Sequence, residues 1–176
     1  MKPSYFQELF WTLPGVLVAI VLCLATAASA QAPSIEGTYK FISRQLSDGT
    51  VVRPPDIMGL LTFTKSYSSF NIVQKDATGK FRSHSRVATY TLTATEYSET
   101  YLFDIVDDQI RGKEIVYKLS GQTRSAPVTV EGKRIQFRFS ERRDLFPGRP
   151  TEVFERDKMT ATADGGRFVD IWEKVQ

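Results

Sequence analysis

From Gly37 onward the chain is written in short runs of β-branched and aromatic residues, cut by a turn signal roughly every 10 to 12 residues. No stretch in this region carries a long stripe of apolar residues at the helical period. That single pattern restricts this region to an antiparallel β architecture. Gly37 to Gln45 is the first run, with Tyr39, Phe41 and Ser43 on one face, and Ser47-Asp48-Gly49 turns it. Pro54-Pro55 sits in a loop, because proline cannot serve a central strand. Gly59 to Thr64 and Tyr67 to Lys75 follow, joined to the next strand by a turn at Asp76 to Lys80. Ser85 to Thr93 alternates cleanly. Glu96 to Val106 does too, with Tyr97, Glu99, Tyr101, Phe103 and Ile105 in step. Asp107-Asp108 reads as a solvated turn. Glu114 to Leu119, Pro127 to Val130 and Arg134 to Phe139 come next, with Phe146-Pro147-Gly148 in the longest later loop. Val153 to Ala161 and Phe168 to Lys174 close the chain. Sequential antiparallel strands leave exposed edges unless the sheet closes on itself. The expected fold is therefore all-β, a single antiparallel up-and-down barrel of about 8 to 10 strands, with a two-sheet sandwich as the alternative.

The first thirty residues follow a different grammar. Leu13 to Ala27 is apolar and uncharged, Lys2 precedes it, and Ala28-Ser29-Ala30 supplies a small-x-small cleavage pattern. The expected organisation is a helical signal peptide over 1–30, a leader over 31–34 and one barrel domain over 35–176. This places the mature protein in the periplasm or outside the cell, with no stable membrane span after cleavage behind Ala30. An uncleaved N-terminal membrane anchor is the alternative, since Leu9 to Ala28 approaches the roughly 20 apolar residues that a span needs. Cys23 is the only cysteine, and Leu22 before it does not suit a lipoprotein site. Loss of the signal leaves no thiol, which excludes disulfides and cysteine-based metal or nucleophile chemistry. With 41% hydrophobic and 24% charged residues, the chain has the composition of a globular protein. Its net charge of +3 is spread among mixed signs, as in Arg142-Arg143-Asp144 and Glu155-Arg156-Asp157-Lys158, which argues against a nucleic-acid partner.

Three segments carry a family likeness. Ile35-Glu36-Gly37-Thr38-Tyr39-Lys40-Phe41 is a Gly-x-aromatic opening. Gly59 to Thr64 with Ser66 to Phe70 makes a second and third strand on a tight turn. Phe168-Val169-Asp170-Ile171-Trp172-Glu173-Lys174 is a closing strand. Together they resemble the bacterial lipocalin-like domain family, of the lipocalin or calycin type, over about residues 35 to 175. The resemblance implies a barrel with one closed end and one open mouth. The opening aromatic of that family is usually Trp and is Tyr39 here. The implied barrel base is Gly37, Tyr39 and Trp172, with Arg167 the nearest candidate to cap the Tyr39 ring.

Chemistry is sparse. His84 is the only histidine, so an HExxH motif or a histidine-rich metal site cannot be assembled. It lies in the polar segment Arg82-Ser83-His84-Ser85-Arg86 and reads as an exposed loop residue. No metal or other cofactor is implied. The candidate ligand-lining residues are Tyr90, Tyr97, Tyr101, Phe103, Tyr117, Phe137 and Phe139, with Arg86 or Arg138 as counter-charge to a carboxylate. Aromatic walls with hydroxyl tips suit a small hydrophobic molecule with one polar end. The expected function is binding or carriage of such a molecule. The alternatives are a filled barrel serving as a structural or interaction protein of the cell envelope, and an isomerase or cyclase in which Glu99 acts as acid or base.

Overall fold

A computed structural model describes residues 32–119, 121–140 and 150–175. The signal segment 1–30, Gln31 of the leader and the Phe146-Pro147-Gly148 turn lie outside the described residues. Ala32–Gln176 forms one compact unit. No helix among the described residues is long and apolar enough to cross a membrane.

Among the described residues there are twelve strands: β1 (Gly37–Leu46), β2 (Val51–Val52), β3 (Ile57–Phe63), β4 (Tyr67–Lys75), β5 (Phe81–Leu92), β6 (Glu96–Asp108), β7 (Lys113–Lys118), β8 (Thr123–Glu131), β9 (Arg134–Arg138), β10 (Thr151–Glu155), β11 (Lys158–Thr162) and β12 (Phe168–Lys174). Ten of them pair in the order β1-β3-β4-β5-β6-β8-β9-β10-β11-β12, every pair antiparallel, and β12 returns to β1 to close the ring. The fold is the closed antiparallel barrel that the alternation predicts, and it is compatible with a lipocalin or calycin type. Closure rests on seven paired positions from Tyr39↔Lys174 to Leu46↔Phe168.

The two remaining strands are appendages at one end. β2 pairs with Arg44 and Gln45 of β1, beyond the stretch that β3 covers. β7 pairs with Asp104 to Asp108 of β6, beyond the stretch that β8 covers. β7 and β8 thus run along one edge of β6 as a single interrupted strand. Two boundaries differ from expectation. Val153 to Ala161 is not one strand but the β10–β11 hairpin, turned at Arg156-Asp157 with Arg156 at φ 53°. β5 begins at Phe81, ahead of the expected start at Ser85, so Arg82, Ser83 and His84 belong to the strand.

The inside of the barrel changes character along its length, and two bulges cause this. In β1 the register shifts between Phe41 and Ser43, and in β6 it shifts opposite Val87 and Ala88, where Leu102 is the extra residue. An extra residue reverses which side chains face inward. Before the bulges, β1 and β6 turn Tyr39, Phe41, Tyr97, Glu99 and Tyr101 inward. After them they bury Arg44, Asp104, Val106 and Asp108. Phe103 and Ile105, expected inside, are on the outward phase and only partly buried.

The base end is aromatic. Tyr39 meets Phe63 at 6.4 Å and Phe154 at 5.7 Å between ring centroids, Phe63 meets Tyr90 at 5.4 Å, and Tyr97 stacks on Phe137 at 4.4 Å. Each such pair adds about 0.5–1.5 kcal/mol beyond the burial of its area. Tyr39 is buried, and its hydroxyl donates to the Ile35 carbonyl at 3.2 Å. Burial, with the negative charge of Asp157, pushes that phenol up to about 12. The cation over its ring is Lys174, 5.9 Å from the centroid, rather than Arg167. Gly37 makes room for it: at φ 143°, a Cβ there would lie 2.2 Å from the Lys174 Cε. Trp172 stands opposite Phe41, two residues along β12 from Lys174, and so belongs to the middle of the barrel and not to its base. Its ring fills the space that Gly59 leaves, where a Cβ would come within 2.9 Å of the indole and 2.8 Å of the Asn71 carbonyl oxygen.

Gly59 therefore tolerates no side chain. Gly59→Ala should lower the unfolding free energy in urea by about 1–3 kcal/mol, the usual cost of overpacking a filled core. An unchanged midpoint would show that Trp172 is loosely held.

Candidate functional site

The middle of the barrel holds charge among aromatic walls. Glu99 of β6 and Arg124 of β8 are direct cross-strand partners, both facing inward. The Arg124 guanidinium donates to Glu99 Oε1 in a close contact, and the Tyr97 hydroxyl donates to Glu99 Oε2 at 2.7 Å. Arg86 of β5 reaches the same carboxylate at 3.5 Å and the Tyr101 hydroxyl at 3.3 Å. Rings sandwich both cations. Arg124 lies 3.7 Å from the Phe139 centroid and 5.3 Å from that of Tyr101, and Arg86 lies 5.5 Å from Phe70. Glu152 of β10 is buried as well, and its charge acts on Arg86 and Tyr97. Burial opposes the charge on Arg86, but Glu99, then Tyr101 and Tyr97, outweigh it and hold the guanidinium above its usual range. Burial first, and Glu99 second, push the Tyr97 phenol well up.

Above this layer, towards the end that carries β2 and β7, lies a second set of ion pairs. Arg44 grips Asp170 with two bonds, 2.6 Å and 2.8 Å, donates to Gln74 at 3.4 Å and lies over the Phe168 ring at 4.1 Å. Arg82 reaches Asp108 at 3.6 Å. His84 Nε2 makes a close contact with Asp104 Oδ1, and its ring packs edge-on against Phe70 at 5.1 Å. Burial alone would raise the Asp104 carboxyl. The hydrogen bond and charge of His84, helped by Arg86 and Lys118, hold it below its ordinary value instead. A recess of about 20 Å³ opens among Arg44, Ile72, Gln74, Arg82, Ser83 and His84. That is room for about one water molecule.

Six of the nine candidate lining and counter-charge residues come together inside: Tyr90, Tyr97, Tyr101, Phe137, Phe139 and Arg86. Three do not, Phe103 because it follows the β6 bulge and takes the outward phase. Tyr117 is 64% exposed, because β7 lies outside the ten-strand ring. Arg138 is exposed, because it stands between Phe137 and Phe139, both of which point in. His84 is buried rather than loop-exposed, and Asp108 is a buried partner of Arg82 that also accepts from the Arg111 amide at 3.3 Å, rather than a solvated turn. Sequence reading missed Arg124, Arg44, Asp104, Asp170 and Glu152 as interior residues. Hairpin register between β6 and β8 could have flagged Arg124, since Glu99 needs a cation if it is buried.

Three deeply buried polar atoms of this interior have no hydrogen-bond partner among the described residues: Arg86 Nε, Trp172 Nε1 and Ser68 Oγ. All three gather around Phe70. Arg86 and Trp172 contact its ring, and Ser68 is its neighbour on the same inward face of β4. Two of the three can only donate. Comparison with protein-family models, with curated proteins and with solved structures finds no match.

Two measurements check the electrostatics. Arg124→Met takes from Glu99 its closest cation, while Arg86 and Tyr97 stay on the carboxylate, and should cost about 1.5–3 kcal/mol in chemical denaturation, the loss of a charged hydrogen bond. The pH dependence has a definite sign. The Asp104 carboxyl is lowered by folding, so it contributes stability above its unfolded value near ~3.9, and this is lost as pH falls through the lower folded value. Asp104→Asn should therefore flatten the acid limb of the stability curve. A limb as steep as wild type would show that His84 and Asp104 are not coupled.

Proposed function

We propose that this chain is an exported lipocalin-like protein, periplasmic or secreted, whose barrel binds a small molecule with an apolar body and one acceptor group, such as a carboxylate or carbonyl. One observation carries the reading: the aromatic interior buries more donors than its own acceptors satisfy. A buried donor without a partner costs about 1–3 kcal/mol, so a fold that keeps such donors together has a use for them. Arg86 Nε and Trp172 Nε1 are the donors. Phe70, Tyr101 and Phe139 form the apolar walls nearest to them. Export is supported by the apolar run to Ala27 and by Ala28-Ser29-Ala30. Nothing in this reading needs catalysis. Glu99, the residue an isomerase or cyclase would use, is already engaged by Arg124 and Tyr97.

A second reading is favoured by the small size of the recess beside Arg44 and His84, about 20 Å³. It makes the chain a filled barrel of the cell envelope whose working surface is outside.

Native mass spectrometry of the protein isolated from its own host separates the two. The binding reading expects a retained molecule of a few hundred daltons, and a mature chain that starts at Gln31. A panel of medium-chain fatty acids and aromatic carboxylates should raise the melting temperature, and Arg86→Met should weaken the best of them about tenfold or more, the loss of one charged hydrogen bond. A consistently empty protein that none of the panel stabilises would discard it in favour of the filled barrel.

A further inference from the structure

β7 is built unlike any other strand of the barrel. Lys113, Glu114, Ile115, Val116 and Tyr117 are all exposed, so neither face of the strand is covered. Four large apolar residues stand in water within five positions: Ile115, Val116, Tyr117 and Leu119, the last 76% exposed. Among the described residues β7 pairs with β6 alone, so no described strand bonds to its other edge. Edge strands are normally blunted by charge, proline or a covering element, and a bare apolar edge is a template for another strand.

The sequence of β7 says which strand. Laid antiparallel against itself about Val116, Glu114 falls opposite Lys118, Ile115 opposite Tyr117 and Lys113 opposite Leu119. The Glu114–Lys118 pair is of opposite sign, and the two-fold symmetry makes it occur twice. Aromatic against β-branched, and acid against base, are the favourable cross-strand pairs, each contributing about 0.2–1 kcal/mol. A one-residue shift of this register would face Ile115 or Tyr117 with charge. We propose that β7 is a dimerisation edge, on which a second copy of this chain adds its own β7 antiparallel, centred on the Val116–Val116 pair. The contact is isologous and closes as a dimer, so it does not propagate into fibres. It lies on the outer wall and stands independently of what the interior binds. Lys118 keeps its influence on Asp104 across the β6–β7 pair, so the interface touches the wall of the charged interior without entering it.

The test uses residues 32–176, the compact unit, which holds no native cysteine. Sedimentation velocity at high micromolar concentration should show a dimer that dissociates on dilution. Val116→Cys should then cross-link to a covalent dimer under mild oxidation, while Leu119→Cys, which faces Lys113 in this register, should not. Tyr117→Lys should weaken dimerisation about tenfold or more with an unchanged unfolding midpoint, because its side chain faces solvent in the monomer. A monomer at all concentrations overturns the proposal. So does a monomer whose β7 amides are protected from hydrogen exchange, which would mean that the chain covers this edge itself. Cross-linking through Leu119 in preference to Val116 overturns the register and with it the assignment of the edge.

Discussion

Two extra residues, one in β1 and one in β6, decide what this barrel contains. Without the shift after Phe41, Arg44 would point to solvent and Asp170 would face the interior alone. Without Leu102, Asp104 and Asp108 would leave the barrel and Phe103 and Ile105 would enter it. The upper interior would then exchange these two carboxylates for two apolar side chains. The bulges instead divide it into an aromatic floor and an ionic upper half. Each charged side chain that the bulges bring in meets a partner: Arg44 with Asp170, His84 with Asp104, Arg82 with Asp108. Burying one of these charges alone would be far costlier than burying the pair, so the two shifts and the charges behind them form one arrangement.

Much of the fold was legible in the sequence because period-2 alternation and glycine or aspartate turns are local signals. The β3, β4, β6, β7, β9 and β12 positions follow from them within a few residues. The β10–β11 hairpin escaped because Arg156-Asp157 carries no glycine, and Arg156 itself takes the left-handed conformation. The interior was legible only below the bulges. Ile42 and Leu102 look like ordinary strand residues, and nothing in their chemistry announces that the phase reverses there. Every misplaced residue in β6, from Phe103 to Asp108, lies beyond that point. Tyr117 was misread for another reason: its strand has the same alternation as its neighbours, and only the pairing of β7 beside β6, above the start of β8, puts it outside the ring.

The aromatic floor and the ionic half serve the fold differently. Ring contacts among Tyr39, Phe63, Phe154, Phe137 and Tyr97 supply attraction that needs no directional partner beyond edge and face. The charged layer contributes less net stability, since desolvation consumes most of its Coulombic gain. What it adds is discrimination: a slipped register would leave Glu99 or Asp170 buried without its arginine. A barrel from Ala32 onward with no disulfide to hold it has its register set by such pairs.

Trp172 gives this molecule an optical property. The chain has two tryptophans, and Trp11 lies in the N-terminal apolar segment. From Ala32 onward all indole emission therefore arises from one ring, wedged between Phe41, Phe70 and the backbone at Gly59, with its N–H unbonded and water excluded. Its spectrum should lie far to the blue, and any acceptor that reached the N–H would change it. The barrel thus carries its own single-site fluorophore at the point where the floor meets the charges.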